Sequence, residues 1–265
     1  MRRYAVKVYY DGLSFHGFQF QKDRRTVSGE FLKALIKSKL TSNSKSAGFQ
    51  AASRTDRGAN ALGQTAAFNT DQPFTVQRLN AHLPPDIMAW GWAEVPSTFN
   101  PMREAWERRY LYIQPDRCEN LSSMRRAARL LVEMYSFGEY WRNGKHAPRT
   151  LRWLKVNRRA GHLYFDFSAR SFTRGLVRRL VGLLLRIGAG KVEVPSSRRM
   201  VERAVLEAPL ASAENLILLD VKYKIKFQVD EAAGRMLLDR LRKAVAGGEV
   251  KRICLQRLLS TIGGS

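Results

Sequence analysis

Hydrophobic and polar positions alternate from the first residues of this chain. Tyr4, Val6, Val8 and Tyr10 fall on one side of an extended segment, Arg3, Ala5, Lys7 and Tyr9 on the other, and Asp11-Gly12 ends the run. A period of two predicts a half-buried strand. The period then lengthens. Between Thr26 and Leu40, Val27, Phe31, Leu35 and Ile36 make a helical stripe with lysines opposite. Thr26 and Ser28 are its capping candidates, and Glu30 falls in the first turns. Ser42 to Ala47 is small and polar and reads as a loop. Gln64 to Asn69 is extended, Val76 to Leu83 is helical until Pro84-Pro85, and Ile87 to Val95 returns as a strand.

A second cycle begins at Ala105. Tyr110 and Tyr112 alternate with Leu111 and Ile113 in a strand, and Ser122 to Tyr135 is an amphipathic helix with Met124, Ala128, Leu131, Val132 and Tyr135 on one side. Leu163, Phe165 and Phe167 alternate with Tyr164, Asp166 and Ser168, and that strand feeds a helix from Ser171 to Ile187. Met200 to Leu206 is helical. Leu216 to Ile225 is a strand with Ile217, Leu219, Val221, Tyr223 and Ile225 on one face. Two strand–helix–strand halves thus follow one another without a sequence repeat, breaking near Phe99-Asn100-Pro101. The pattern predicts an α+β fold whose antiparallel sheet has helices on one face and the other face open.

Charge changes this picture most. The chain has 265 residues, enough for one large domain or two smaller ones, with 46 Lys and Arg against 23 Asp and Glu, a formal charge of +23. A folded protein this basic repels itself unless a polyanion compensates, so nucleic acid is the leading partner. The alternative, an anionic membrane surface, lacks its anchor. The N-terminus has no signal-peptide core, and the greasiest stretch, Leu176 to Ile187, is interrupted by Arg178, Arg179 and Arg186. No membrane association is expected, and the absence of targeting signals favours the cytoplasm. Two cysteines, Cys118 and Cys254, stand far apart and outside any CxxC pattern, which fits a reducing compartment. His16, His82, His146 and His162 share no metal-ligand spacing, so no metal site is expected. Ile262-Gly263-Gly264-Ser265 reads as a frayed end.

Three stretches carry candidate chemistry. Ser53-Arg54-Thr55-Asp56-Arg57-Gly58 places one carboxylate between two arginines. Its plain reading is an Asx-turn or a helix cap; its chemical reading is an ionised nucleophile or base favoured by the flanking charge. Arg108-Arg109-Tyr110-Leu111-Tyr112 interleaves guanidiniums with rings, as base-stacking surfaces do, or is an ordinary strand with aromatic residues in the core. Ser171 to Gly182 includes Arg174 and Arg178 four residues apart on a helix, which is a solvated face unless something recruits it. Gly175 and Gly182 break that helix locally and permit close backbone approach.

Taken together and in order, these stretches resemble the TruA-type tRNA pseudouridine synthases. Tyr10-Asp11-Gly12, Phe15-His16-Gly17-Phe18-Gln19 and Arg25-Thr26-Val27-Ser28-Gly29-Glu30 resemble the family's N-terminal signature. Arg54-Thr55-Asp56, Gly58 and Ala61-Leu62-Gly63-Gln64 resemble its catalytic loop. Arg109-Tyr110 with Tyr112, and Ser171-Phe172 with Val177-Arg178 and Val181-Gly182, resemble two further active-site segments. The match covers roughly residues 4 to 223, and four ordered motifs are far more specific than any one. The chain departs from the pattern at Ser53, where Gly is usual, at Asn60, where His is usual, and at Glu214-Asn215, where Gly is usual. Segment 136 to 160 matches poorly.

The resemblance implies isomerisation of uridine to pseudouridine in the anticodon stem-loop of tRNA, without cofactor or metal. It implies Asp56 as the catalytic aspartate, Arg178 as its ion-pair partner, Tyr110 stacked on the uracil, and Arg54 in the space of the flipped nucleotide. It also implies two ferredoxin-like halves sharing one central antiparallel sheet, with the active cleft between them, and a homodimer. The corresponding divisions are 1–100 with the aspartate loop, 101–225 with the tyrosine strand and arginine helix, and a C-terminal extension, 226–265. Two other classes remain open on the residues alone. A catalytically silent RNA-binding protein would keep the basic surface without needing Asp56, and a nuclease would want a carboxylate cluster or a histidine pair.

Overall fold

A computed structural model describes residues 1–142 and 145–244, together with Ile253, Gln256 and Ser260. Cys254, the 262–265 tail and much of the segment read as an extension therefore lie outside the described residues. In chain order the elements begin with β1 (Arg2–Tyr10), α1 (Val27–Lys37), β2 (Gln50–Ala51), β3 (Asn60–Thr70), α2 (Val76–Asn80) and β4 (Ile87–Val95). There follow α3 (Pro101–Glu104), β5 (Glu107–Pro115), α4 (Leu121–Met134), β6 (Ser136–Arg142), β7 (Lys145–Arg159) and β8 (His162–Ala169). The last are α5 (Leu176–Gly188), α6 (Arg198–Glu207), β9 (Leu216–Lys222), β10 (Gln228–Val229) and α7 (Glu231–Ala244). Contacts gather into two compact units, Met1–Trp106 with Ile217–Ser265, and Glu107–Leu216.

The first unit is built on β1. It pairs antiparallel with β3 (Tyr4 opposite Phe68) and with β4 (Val6 opposite Trp92), and β10 extends the sheet beyond β4. The far edge of β3 is shared: Ala66 and Ala67 pair with β2, while Asn60 and Ala61 run parallel to Ile217 and Leu218 of β9. The expectation of a wholly antiparallel sheet is corrected at that junction. The half-buried reading of β1 is corrected too, since every residue from Arg3 to Tyr10 is buried. One face packs Tyr4 among Phe68, Phe74 and Trp92. The other buries Ala5 with Ala67, Ala93, Val95 and Phe99, and Tyr223, Ile225 and Phe227 pack against that cluster. Tyr223 and Ile225 are thus not strand residues. β9 ends at Lys222, and the chain folds its next aromatics back over the face expected to be open.

Burying both faces of β1 puts two cations inside. Arg3 is satisfied by four acceptors: Phe99 O at 2.8 Å, Gly48 O at 3.2 Å, Asn69 Oδ1 at 2.7 Å and Gln50 Oε1 at 2.8 Å. Lys7 Nζ donates to Asp220 Oδ1 at 2.7 Å and to Val221 O, and lies 4.8 Å from the centre of the Phe227 ring. Burial pulls the Lys7 ammonium below the usual lysine range, and Asp220 pushes back against that shift.

The second unit pairs β5 with β8 and β8 with β7, all antiparallel, and β7 with β6. Tyr110, Tyr112, Phe165, Phe167, Leu154 and Val156 share one face of this sheet and are buried. α4 packs on β7 and α5 packs on α4, burying Met124, Ala128 and Leu131 of α4 and Leu176, Leu180, Leu183, Leu184 and Ile187 of α5. α5 starts at Leu176, five residues later than Ser171, the start expected from the periodicity. Gly175 has φ 71°, outside helical backbone, and the ladder begins with Arg179 N–H on Gly175 O. Arg174 consequently precedes the helix and does not share a face with Arg178.

The ion pair between buried Lys7 and Asp220, whose side chain is 39% exposed, makes an asymmetric prediction. Asp220→Ala leaves an ammonium in the core and should lower unfolding free energy by about 3 kcal/mol, whereas Lys7→Met removes the charge and should cost less than ~1 kcal/mol. Urea denaturation of both variants checks this; equal losses would mean that the pair does not bear on stability in this way.

Candidate active site

The aspartate loop is held by hydrogen bonds that begin at a buried amide. Gln64, in β3, is 0 % exposed. Its Oε1 accepts from Ser53 N–H at 3.2 Å and from Thr65 N–H at 3.1 Å. Its Nε2 donates to Ser53 O at 2.9 Å and to the Tyr10 hydroxyl at 3.4 Å. Both acceptor positions and both donor hydrogens of the side chain are thereby used. Tyr10 in turn meets Thr55 Oγ1 at 2.7 Å. Thr55 is the residue preceding Asp56, and either hydroxyl can be the donor in that bond.

The N-terminal segment after β1 braces the loop from a second side. Gly12 N–H donates to Asn60 Oδ1 at 3.0 Å, and Phe18 N–H donates to Thr55 O at 3.1 Å. A Cβ on Gly12 would overlap the Ala59 carbonyl. Gly17 has φ 92°, and a Cβ there would sit 3.3 Å from both Thr55 O and Arg57 N. That segment is itself tied to α1, because Val27 and Ser28 N–H donate to Gly17 O and Phe18 O, and Thr26 caps the helix through Gly29 N–H. Arg25 fixes its other end with two bonds to Asp86, at 2.7 and 2.8 Å, and lies over the Phe15 ring.

Asp56 follows in a turn closed by Ala59 N–H on Asp56 O, with Gly58 at φ 85°. Its side chain is half-buried, whereas Arg54 and Arg57 on either side are exposed. Thus the first unit brings Tyr10, Gly12, Thr55, Asn60 and Gln64 together around Asp56. Thr55 and Gln64 belong to the motifs named from sequence and Asn60 is a departure from them, but nothing in their spacing shows that they act as the brace.

The other two candidate residues lie in the second unit. Tyr110, in β5, is 7 % exposed, with the Phe172 ring edge-on at 5.1 Å between centroids. Two of the stretches singled out by sequence, the tyrosine strand and the Ser171-Phe172 segment, therefore meet. Arg178 lies in the first turn of α5, half-buried. Its Nε donates to Ala211 O at 2.6 Å, and its carbonyl accepts from Ala211 N–H at 3.1 Å. Gly182, one turn on, lets the chain approach, because a Cβ there would overlap Pro209 O. The Tyr112 hydroxyl is pushed above the usual tyrosine range by burial, opposed by a hydrogen bond from Asn215 and by the charge of Arg178. Among the described residues no group of three His, Cys, Asp or Glu could hold a metal, and no helix is long and apolar enough to cross a membrane.

Comparison with known proteins places these residues in context. A family profile described as tRNA pseudouridine synthase matches residues 136–224. The chain is 36% identical over 251 residues to a tRNA pseudouridine synthase A of Thermococcus sibiricus, covering 91% of this chain and 94% of that protein. It is 31% identical over 251 residues to a protein of the same name in Archaeoglobus fulgidus (92% and 93% covered). Its identity to another in Methanosarcina acetivorans is 34% over 266 residues (97% and 99% covered).

The brace can be tested without reference to any activity. Gln64→Leu keeps the volume but leaves the Ser53 amide, the Ser53 carbonyl and the Tyr10 hydroxyl each short of a buried partner. At about 1–3 kcal/mol per unsatisfied group, relaxed in part by the loop, the expected loss of stability is roughly 3 kcal/mol. Chemical denaturation reads it directly, and a loss below ~1 kcal/mol would show that the amide is not the anchor.

Proposed function

The chain belongs to the tRNA pseudouridine synthase family, and we propose that it isomerises uridine to pseudouridine in the anticodon stem-loop of tRNA, with Asp56 as the catalytic carboxylate. One observation carries the assignment to Asp56. The loop that presents it is fixed on both sides by buried hydrogen bonds and close glycine contacts, yet its carboxylate remains half-exposed and flanked by exposed arginines. Preorganisation of that kind suits a group that must meet a reacting atom.

The reaction detaches uracil from C1′ of its ribose, turns the base and rejoins it through C5, so the C5 proton must leave. Asp56 acts on the nucleotide at the start, and the base stays in the site throughout. In this reading Arg178 pairs with Asp56 in the working enzyme and holds it ionised. At ~4 Å and an effective dielectric of ~20 such a pair is worth about 4 kcal/mol before desolvation. Its anchoring to Ala211 gives the guanidinium one fixed approach. Tyr110 stacks on the uracil, and Arg54, exposed at the front of the loop, fills the space left by the extruded nucleotide. The surplus of cations binds phosphates, with affinity that falls as salt rises.

The same reading takes the two compact units as the two ferredoxin-like halves, has the enzyme act as a homodimer on tRNA in the cytoplasm, and requires neither cofactor nor metal.

Incubation of the purified chain with unmodified tRNA, without added cofactor, should yield pseudouridine detectable by chemical labelling, and the mapped positions name the target uridines. Asp56→Ala should abolish product while changing tRNA affinity less than threefold. Arg178→Ala should lower kcat at least a hundredfold with little change in KM. A collapse of tRNA binding in Asp56→Ala would assign the aspartate to structure and not to chemistry.

A further inference from the structure

Away from the aspartate loop, the second unit contains an open pocket of about 590 Å³ where the last turns of α5 face the loop before α4 and the segment 209–211. The volume suits a nucleotide-sized ligand. Leu185, Pro209, Leu210 and Ala211 give it an apolar wall, and the absence of a side chain at Gly182 lets that wall lie directly on α5.

Its charge is what sets it apart. Arg117, Arg186 and Lys191 all line it, and none of these side chains has a hydrogen-bond or ion-pair partner among the described residues. The lining also holds one carboxylate, Glu119, so its cations outnumber its acids three to one. Asp116 pairs with Arg158 at 2.6 Å, and Glu119 accepts from the Arg117 amide at 2.6 Å. A helix C-terminus ordinarily presents partial negative charge that would repel an anion. Here the carbonyls of Leu185, Arg186, Ile187 and Gly188 accept from the N–H groups of Ala189, Lys191, Gly190 and Asn120, at 2.8 to 3.0 Å. Three uncommitted cations over an apolar wall form a complement to a phosphate carrying a flat organic group.

We propose that this pocket is a second ligand site, binding a phosphate-bearing nucleotide unit with the phosphate on Arg117, Arg186 and Lys191 and the base or ribose on the apolar wall. The unit comes either from the RNA backbone or from a free nucleotide. The RNA source rests on the tRNA reading given above; the free-nucleotide source does not.

The test compares Arg117→Gln/Arg186→Gln/Lys191→Gln with a control that removes equal charge from exposed lysines of the first unit, Lys37→Gln/Lys45→Gln/Lys243→Gln. Uridine 5′-monophosphate and uridine are titrated calorimetrically, and tRNA binding is followed against salt. If the site takes RNA, the pocket variant binds tRNA at least tenfold more weakly. Its plot of log affinity against log salt is then shallower than the control's by about 2, as loss of two to three phosphate contacts requires. If it takes a free nucleotide, Kd for the monophosphate rises at least tenfold in the pocket variant only, uridine binding is unchanged, and tRNA binding follows the control. A pocket variant that matches the control in both measurements overturns the proposal. Should the triple variant melt early, Lys191→Glu, at an exposed position, carries the same comparison. Product formation is scored separately, so a shift in binding without pseudouridine would sink the catalytic reading and leave the site standing.

Discussion

The geometry around Asp56 depends on one side chain that has no exposure to solvent. Gln64 is a buried primary amide with two donors and two acceptor positions, and each has a partner. A group so completely engaged in a medium from which water is excluded has one orientation, because turning it would break four hydrogen bonds at once. Its Nε2 also donates to the Tyr10 hydroxyl, which is hydrogen-bonded to the Thr55 side chain next to Asp56. The loop is thereby referred to β1 and β3, the two best-buried strands of the first unit, and so can be exposed at its tip without being loose at its base.

The same buried β1 divides the positive charge into two populations. Arg3 and Lys7 are internal ties, satisfied by carbonyls, amides and one carboxylate. Arg25, Arg109 and Arg158 are each paired with an aspartate. These residues contribute to the formal charge of +23 but have their field answered within the protein. Only the remaining exposed cations, such as Arg54, Arg57 and the lining of the second pocket, can attract a polyanion over distance. Net charge therefore overstates the electrostatic footprint, and where the unpaired cations sit describes it better.

How much of this was legible depended on the range of the interaction. Elements governed by local periodicity were readable: β4 matches its expected limits, and α1 lies within its expected run and is capped by Thr26 as its sequence suggests. What failed was set by partners distant in the chain. Alternation in β1 looked half-buried because nothing nearby announced that Tyr223, Ile225 and Phe227 would cover its second face. The apolar stripe of α5 was visible, but its start was decided by the left-handed Gly175 and not by the stripe. Within the candidate site, residue types for chemistry (Asp56, Tyr110, Arg178) could be named from motif order. The brace could not, because Gln64 and Asn60 tie the loop to β1 and its flank through partners 11 to 54 residues away that no spacing rule encodes.

The departures from the family pattern show how the loop tolerates variation. At position 53 Gln64 reads the backbone N–H and C=O, groups that Gly and Ser both present, so these two bonds survive the departure from Gly. Position 60 has a stricter requirement, since the Gly12 amide is buried against the loop and needs an acceptor of short reach, which Asn60 Oδ1 supplies. Gly12 is stricter still, for no side chain fits beneath the Ala59 carbonyl. Constraint around Asp56 thus falls on backbone geometry and on acceptors at fixed places. A loop that keeps those two conditions can change its sequence elsewhere and hold its carboxylate in one position.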